Sequence, residues 1–181
     1  TIPAIDDLAD NFSARLSAKQ LGSAREQLGK RQAMTETFGC SGYDTPPRRL
    51  RAIGDGQFVR GVTMMCHHLY SYSLAEQGKY DHPPCFSEHM PWRDDFADFN
   101  DYFTRLGYLL SNSDEQVNAL VISPLSSVYL KYKRNDEKEA QIYDIRLMEL
   151  QSLLKEKGIA YHLADESIFK RHGRAQNGEI V

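Results

Sequence analysis

Glu36 is the residue whose surroundings point most directly to chemistry. It lies in RQAMTETFGCSG, residues 31–42, where a short strand over residues 31–36 runs into a loop marked by Gly39 and Gly42. A carboxylate at the end of a buried strand takes fixed geometry from the scaffold and still reaches a ligand. Cleaving a glycosidic bond needs two such groups, one giving a proton to the leaving oxygen and one acting as base or nucleophile. Asp81 and Glu88 are further acids downstream. Asp81 follows Lys79 and precedes Pro83-Pro84, which reads as a loop salt bridge, and Glu76 reads as solvated. The structural alternative for Glu36 is a strand-end ion pair with Arg31 or Arg60.

A second concentration of chemistry lies in HHLYSYSLAEQGKYDHPPCFSEHMPW, residues 67–92. A connection of that length is usually functional or disordered, and its Tyr, Phe, His and Trp content argues against disorder. Sugars present apolar C–H patches beside hydroxyls, so they are held by ring faces with polar groups nearby. His67, His68 and His89 are candidates for the hydroxyls, Tyr72 and Trp92 for the ring faces. The alternative for Trp92 is the first core residue of the following helix. A zinc site drawn from Cys66, His67, His68, Asp81, His82, Cys85 and His89 fits no closed zinc motif. Neighbouring residues on a strand end also point to opposite sides. No resident metal or cofactor is expected.

These groups need elements to hold them. Ile5, Leu8, Ala9, Phe12, Leu16 and Leu28 follow helical spacing, with Gly29 as a stop. After the strand at 31–36, Asp44 or Thr45 can cap a helix that starts near Pro46, turns Leu50 and Ile53 inward and ends at residues 54–56. QFVRGVTMMC, residues 57–66, reads as a strand buried on both faces. Trp92, Phe96, Phe99, Phe103, Leu106 and Leu110 step by four and three, the clearest amphipathic helix in the chain. The polar SNSDEQ, residues 111–116, reads as a joint between 1–112 and 113–181.

Beyond it, VNALVISP (117–124) is a buried strand and a loop carries Tyr129, Lys131 and Tyr132. A helix turns Ala140, Tyr143, Leu147, Leu150 and Leu154 inward, Gly158 stops it, and IAYHLAD (159–165) is the next strand. A short helix over 165–172 and a turn-and-strand in QNGEIV follow. This β-α-β order predicts parallel strands. The expected fold class is α/β: the last β/α units of a (β/α)8-type barrel, then part of a flavodoxin- or Rossmann-like parallel domain. On a barrel, loops after the strands carry the chemistry, so Glu36 and the 67–92 loop would open on one face. The chain starts at Thr1, which fits a removed leader or a piece of a longer protein, and the last strand begins as the sequence ends, so a fragment is expected.

Composition narrows the classes. With 181 residues, 41% hydrophobic and 26% charged, the chain has ordinary globular content. Its net charge of −3 offers no basic surplus for nucleic acid or anionic lipid. No apolar run nears the roughly 20 residues that span a membrane. Three scattered cysteines do not make a disulfide framework. The second half lacks GxGxxG and GxxxxGK[ST], which argues against nucleotide binding. KYKRNDEKE (131–139) is a mixed charge run of the solvated kind. Ser126 and Ser127 lack a G-x-S-x-G context.

The motifs TETFG, IGDGQFVRGV, HHLYSYS, GKYDHPP and HMPW, in that order over residues 31–181, resemble the family 106 α-L-rhamnosidases and their β-galactosidase-like relatives. The resemblance implies a bacterial glycoside hydrolase, periplasmic or extracellular, with Glu36 as catalytic base or nucleophile. It implies that the partner acid lies on an earlier strand outside this chain, that a calcium ion in the full site is possible, and that this segment alone is inactive. The partners expected are a carbohydrate substrate and the rest of its own chain or a homo-oligomer. The alternative from another class is a non-enzymatic α/β module that binds carbohydrate or a protein through the 67–92 loop.

Overall fold

The structure is a computed structural model and describes residues 1–8 and 15–180. The chain forms two compact units, Thr1–Glu115 and Gln116–Val181.

In the first unit the strands β1 (Ala4–Asp7), β2 (Met34–Thr37) and β3 (Met64–His67) alternate with the helices α1 (Arg15–Gln27), α2 (Pro47–Phe58) and α3 (Phe96–Ser111). The sheet runs β1-β2-β3, and both pairings are parallel. Parallel neighbours need a crossover between them, which α1 and α2 supply. Burial alternates along β2: Thr35 and Thr37 are completely buried while Met34 and Glu36 keep part of their surface. One face of the strand therefore belongs to the core and the other does not.

Two apolar clusters hold the helices to the sheet. Ala18, Leu21, Ala33, Phe58, Val62 and Phe103 form one. Phe38, Leu50, Ile53, Phe86 and Met90 form the other. A fully buried Leu or Phe contributes about 1.5–3 kcal/mol by leaving water, so residues such as Leu50 and Phe58 dominate the packing. Close backbone approach matters too. A Cβ on Gly22 of α1 would stand 2.0 Å from the Arg60 carbonyl oxygen, so only glycine lets α1 meet the turn before β3. Polar contacts finish the unit: Arg25 Nη2 donates to the carbonyls of Leu110 (2.9 Å) and Ser113 (3.1 Å) at the end of α3. Lys19 pairs with Glu115 at 2.8 Å.

The structure corrects several expectations. Ile5 lies in β1, not in a helix; Ala9 and Phe12 lie outside the described residues. The spacing of Ile5 and Leu8 mimics a helical face, but Ala4–Asp7 pairs with β2 residue for residue. Gln57 and Phe58 close α2 instead of opening a strand. The chain then turns through Gly61 at φ 104°, a conformation open to glycine, and β3 starts at Met64. Helix α3 starts at Phe96, with Arg93–Asp95 a single 3-10 turn before it. The 67–92 loop holds another such turn at Glu76–Tyr80.

The second unit pairs β4 (Ala119–Ser123) and β5 (Tyr161–Asp165) in parallel, with α4 (Leu125–Lys131) and α5 (Lys138–Glu156) between them. Tyr129 and Lys131 thus lie in a helix, where a loop was expected. On α5 Ala140 is buried, but Leu150 is exposed and does not face inward. Asp165 accepts hydrogen bonds from the backbone N–H of Ser167 (2.9 Å) and Ile168 (3.0 Å), capping α6 (Glu166–His172). The hairpin β6 (Ala175–Gln176) and β7 (Glu179–Ile180) turns on Asn177 and Gly178, both at positive φ, as a tight two-residue hairpin requires. Among the described residues no helix is long and apolar enough to cross a membrane.

Candidate active site

Glu36 is the third residue of β2, at the carboxyl end of the parallel sheet. Its register partners are Asp6 on β1 and Cys66 on β3. Residues in register on adjacent strands share a face, so Asp6, Glu36 and Cys66 form a row across the sheet. The Glu36 side chain keeps 39% of its surface in contact with solvent.

Behind that row, on the core side, Gln57 ties the strand ends together. Its Nε2 donates to Asp7 Oδ2 and to Thr37 Oγ1, both at 3.0 Å. Burial raises the Asp7 pKa above the usual carboxylate value; the Gln57 hydrogen bond opposes the shift and the charge of Asp6 adds to it. Gln57 Oε1 is buried without a hydrogen-bond partner among the described residues. The ends of β1, β2 and α2 are thus fixed to one another directly beneath the exposed carboxylates.

His68 completes the near surroundings of Glu36. Its backbone N–H donates to the Thr37 carbonyl at 3.0 Å, extending the ladder past β3. Its Nε2 lies 3.8 Å from Glu36 Oε1, an ion-pair distance when the imidazole carries its second proton. The ring is buried and packs over Gly39, where a Cβ would come within 2.9 Å of His68 Cγ. Neither Arg31 nor Arg60 stands within 4.0 Å of Glu36. Arg60 instead donates to the Gly56 carbonyl.

The other expected site residues are distributed differently. His67 turns to the core, its ring centroid 4.9 Å from that of Phe86 and 5.4 Å from those of Phe38 and Phe96. That burial lowers its pKa to about 4 and keeps it neutral. Trp92 packs edge-on against Phe86 and Phe96. His89 is exposed, 3.9 Å from Glu88, and Tyr72 is fully exposed. His89 and Trp92 do line one cleft, with Tyr43, Thr45 and Leu74, but its volume is about 30 Å³. That is room for about one water, not for a sugar ring. The structure therefore brings His68 to Glu36 and leaves His67, Tyr72, His89 and Trp92 elsewhere.

Among the acids, Asp81 Oδ1 lies 3.7 Å from His82 Nε2, and Lys79 lies over the Tyr80 ring instead of pairing with Asp81. Glu88 accepts a hydrogen bond from Tyr70 Oη, which holds its pKa below the usual value. Among the described residues no group of three or more His, Cys, Asp or Glu is gathered to hold a metal ion. Asp6 and Glu36 are in register on adjacent strands. Asp6 is the site residue that the sequence concealed. An Asp-Asp pair closing an Ile-containing strand was the available signal, hidden by the helix-like spacing around it.

No family model matches the chain, and no curated protein does. Among solved structures, the rhamnosidase from Novosphingobium sp. PP1Y is similar, with a TM-score of 0.65 at 15% sequence identity. The match covers 99% of this chain and 17% of that one. The two share a fold over that stretch. The chain spans less than a fifth of the length of that rhamnosidase, 17%.

Proposed function

We propose that this chain is a segment of a rhamnosidase-like glycoside hydrolase, with Glu36 as its catalytic base or nucleophile. The observation that carries the reading is the place of Glu36: a part-exposed carboxylate at the carboxyl end of a parallel strand, 3.8 Å from His68. Loops at that end carry the chemistry in barrel enzymes, and the likeness in fold to a rhamnosidase supports the same class. The three parallel strands would be the last of a barrel whose remaining strands come from the rest of the protein.

In this reading Glu36 either removes a proton from the attacking water or bonds to the anomeric carbon itself, through a transition state resembling an oxocarbenium ion. A carboxylic acid on a strand outside this chain protonates the leaving oxygen. His68, 3.8 Å away, holds the Glu36 carboxylate in place. Asp6, in register beside it, accepts a hydrogen bond from a sugar hydroxyl.

The test is Glu36→Gln in the full protein, assayed on an aryl α-L-rhamnoside. We expect kcat to fall by about 10³-fold, within the range of a removed general base, with an unchanged circular dichroism spectrum. Retained hydrolysis would overturn the assignment. Binding of the sugar without hydrolysis by the wild type would favour a non-enzymatic carbohydrate-binding module.

A further inference from the structure

Two loops meet beside the Glu36 site and bring together a thiol, a base and an acid that the proposed mechanism does not use. The loop after β2 is shaped by Phe38 and Cys40, both at positive φ. Ser41 closes it with a backbone hydrogen bond to the Phe38 carbonyl at 3.1 Å. Gly42 N–H then donates to the Pro83 carbonyl at 3.1 Å, which docks this loop on the segment around His82. The result is a Cys40 Sγ to His82 Nδ1 distance of 2.8 Å. On its other nitrogen, His82 Nε2 faces Asp81 Oδ1 at 3.7 Å.

The three groups stand in the order nucleophile, base and orienting acid. Asp81 favours the tautomer that carries the ring proton on Nε2, leaving Nδ1 to accept the proton of the thiol. Cys40 is exposed, whereas Cys85 is buried and Cys66 half-buried, so reagents reach it first. The cluster also touches the neighbouring site. The His82 ring centroid lies 5.2 Å from that of His68, and His68 is the residue next to Glu36.

We propose that Cys40 is a nucleophilic thiol activated by His82, and that its oxidation by a hydroperoxide silences the Glu36 site. In the step, His82 Nδ1 takes the thiol proton and the Cys40 sulfur attacks a peroxide oxygen. The S–O bond forms as the O–O bond breaks, and the departing hydroxide takes the proton from His82 as water. Sulfur loses two electrons and the peroxide gains them; the product is a sulfenic acid. The added oxygen has no room along the 2.8 Å contact, so the His82 ring moves, and with it the His68 ring packed beside it. The silencing rests on the proposed role of Glu36; the reactivity of the thiol does not.

The experiment uses the full protein and has two readouts. Iodoacetamide labelling at pH 7, followed by peptide mass spectrometry, gives the rate at each cysteine. Cys40 should react at least about tenfold faster in the folded protein than in the urea-unfolded chain, and His82→Ala should remove that advantage. A folded rate equal to the unfolded rate, or one indifferent to His82→Ala, overturns the activation. Next, hydrogen peroxide should abolish hydrolysis in the wild type, while Cys40→Ser keeps basal activity and resists. Equal inactivation of both overturns the silencing. A protein that labels as expected but hydrolyses no rhamnoside refutes the role of Glu36 and leaves Cys40 as a reactive thiol without that target.

Discussion

His67 and His68 are sequence neighbours that point to opposite sides: the first ring packs against Phe38, Phe86 and Phe96, and the second reaches to 3.8 Å from Glu36. The alternation of a strand end produces this division. It turns a pair of histidines that could pass for one ligand cluster into one ring packed among aromatics and one beside Glu36, and the two substitutions should behave differently.

His68→Gln keeps a polar side chain of similar length and removes the imidazole beside Glu36. Hydrolysis by the full protein should fall about 10²-fold in kcat/KM, in the range of a lost acid–base or charge partner. The melting temperature should stay close to that of the wild type. A variant that unfolds but, when folded, turns over normally would reduce His68 to a packing residue.

Asp6→Asn tests the row across the sheet. The side chain is exposed, so stability should change by less than about 0.5 kcal/mol. Hydrogen bonds to a charged group contribute about 1.5–3 kcal/mol, which predicts roughly a 10- to 100-fold rise in KM for the rhamnoside. An effect on neither kinetic constant would show that no substrate hydroxyl reaches this carboxylate.

His67 sets an acid limit on folding. Its pKa is about 4 in the folded protein and about 6.5 in an unfolded chain, so the unfolded chain binds the extra proton first. Stability is complete above about pH 6.5 and is lost as pH falls toward 4, by about 3 kcal/mol in all. His67→Phe, which suits the surrounding rings, should flatten the fall in urea midpoint between pH 7 and pH 4.5. An unaltered slope would assign the acid sensitivity to other groups.

Gly22→Val tests the contact of α1 with the turn before β3. Its Cβ would begin 2.0 Å from the Arg60 carbonyl oxygen, and backbone cannot rotate away as a side chain can. Overpacking of this kind costs about 1–3 kcal/mol, several degrees in melting temperature for a unit of this size. A melting temperature equal to the wild type would mean that α1 can slide outward at no cost.

Some of this was readable in the chain and some was not, for physical reasons. TETFG announced β2 and placed Glu36 at its end, because a short run closed by Gly39 and Gly42 leaves little room for a helix. The steps of four and three from Phe96 to Leu110 announced α3, since long amphipathic helices carry the strongest periodic signal. Strand β1 was obscured: four residues, two of them aspartates, are too few for a period, and the packing of Ile5 against the sheet overrode the helical spacing. Losing β1 meant losing Asp6. Gln57 and Phe58 read as strand because the final turn of a buried helix and a buried strand look alike over a few residues. The meeting of Cys40 with His82 spans 42 positions and depends on two loops docking, which no local pattern encodes.

The guanidinium of Arg25 and the ammonium of Lys19 find their acceptors at Leu110, Ser113 and Glu115. Anyone shortening the gene to study the first unit by itself must therefore cut after residue 115. A stop codon at Ser111, the end of α3, would remove the Ser113 carbonyl and the Glu115 carboxylate that these two buried cations reach, and would loosen the unit for a reason unrelated to its chemistry.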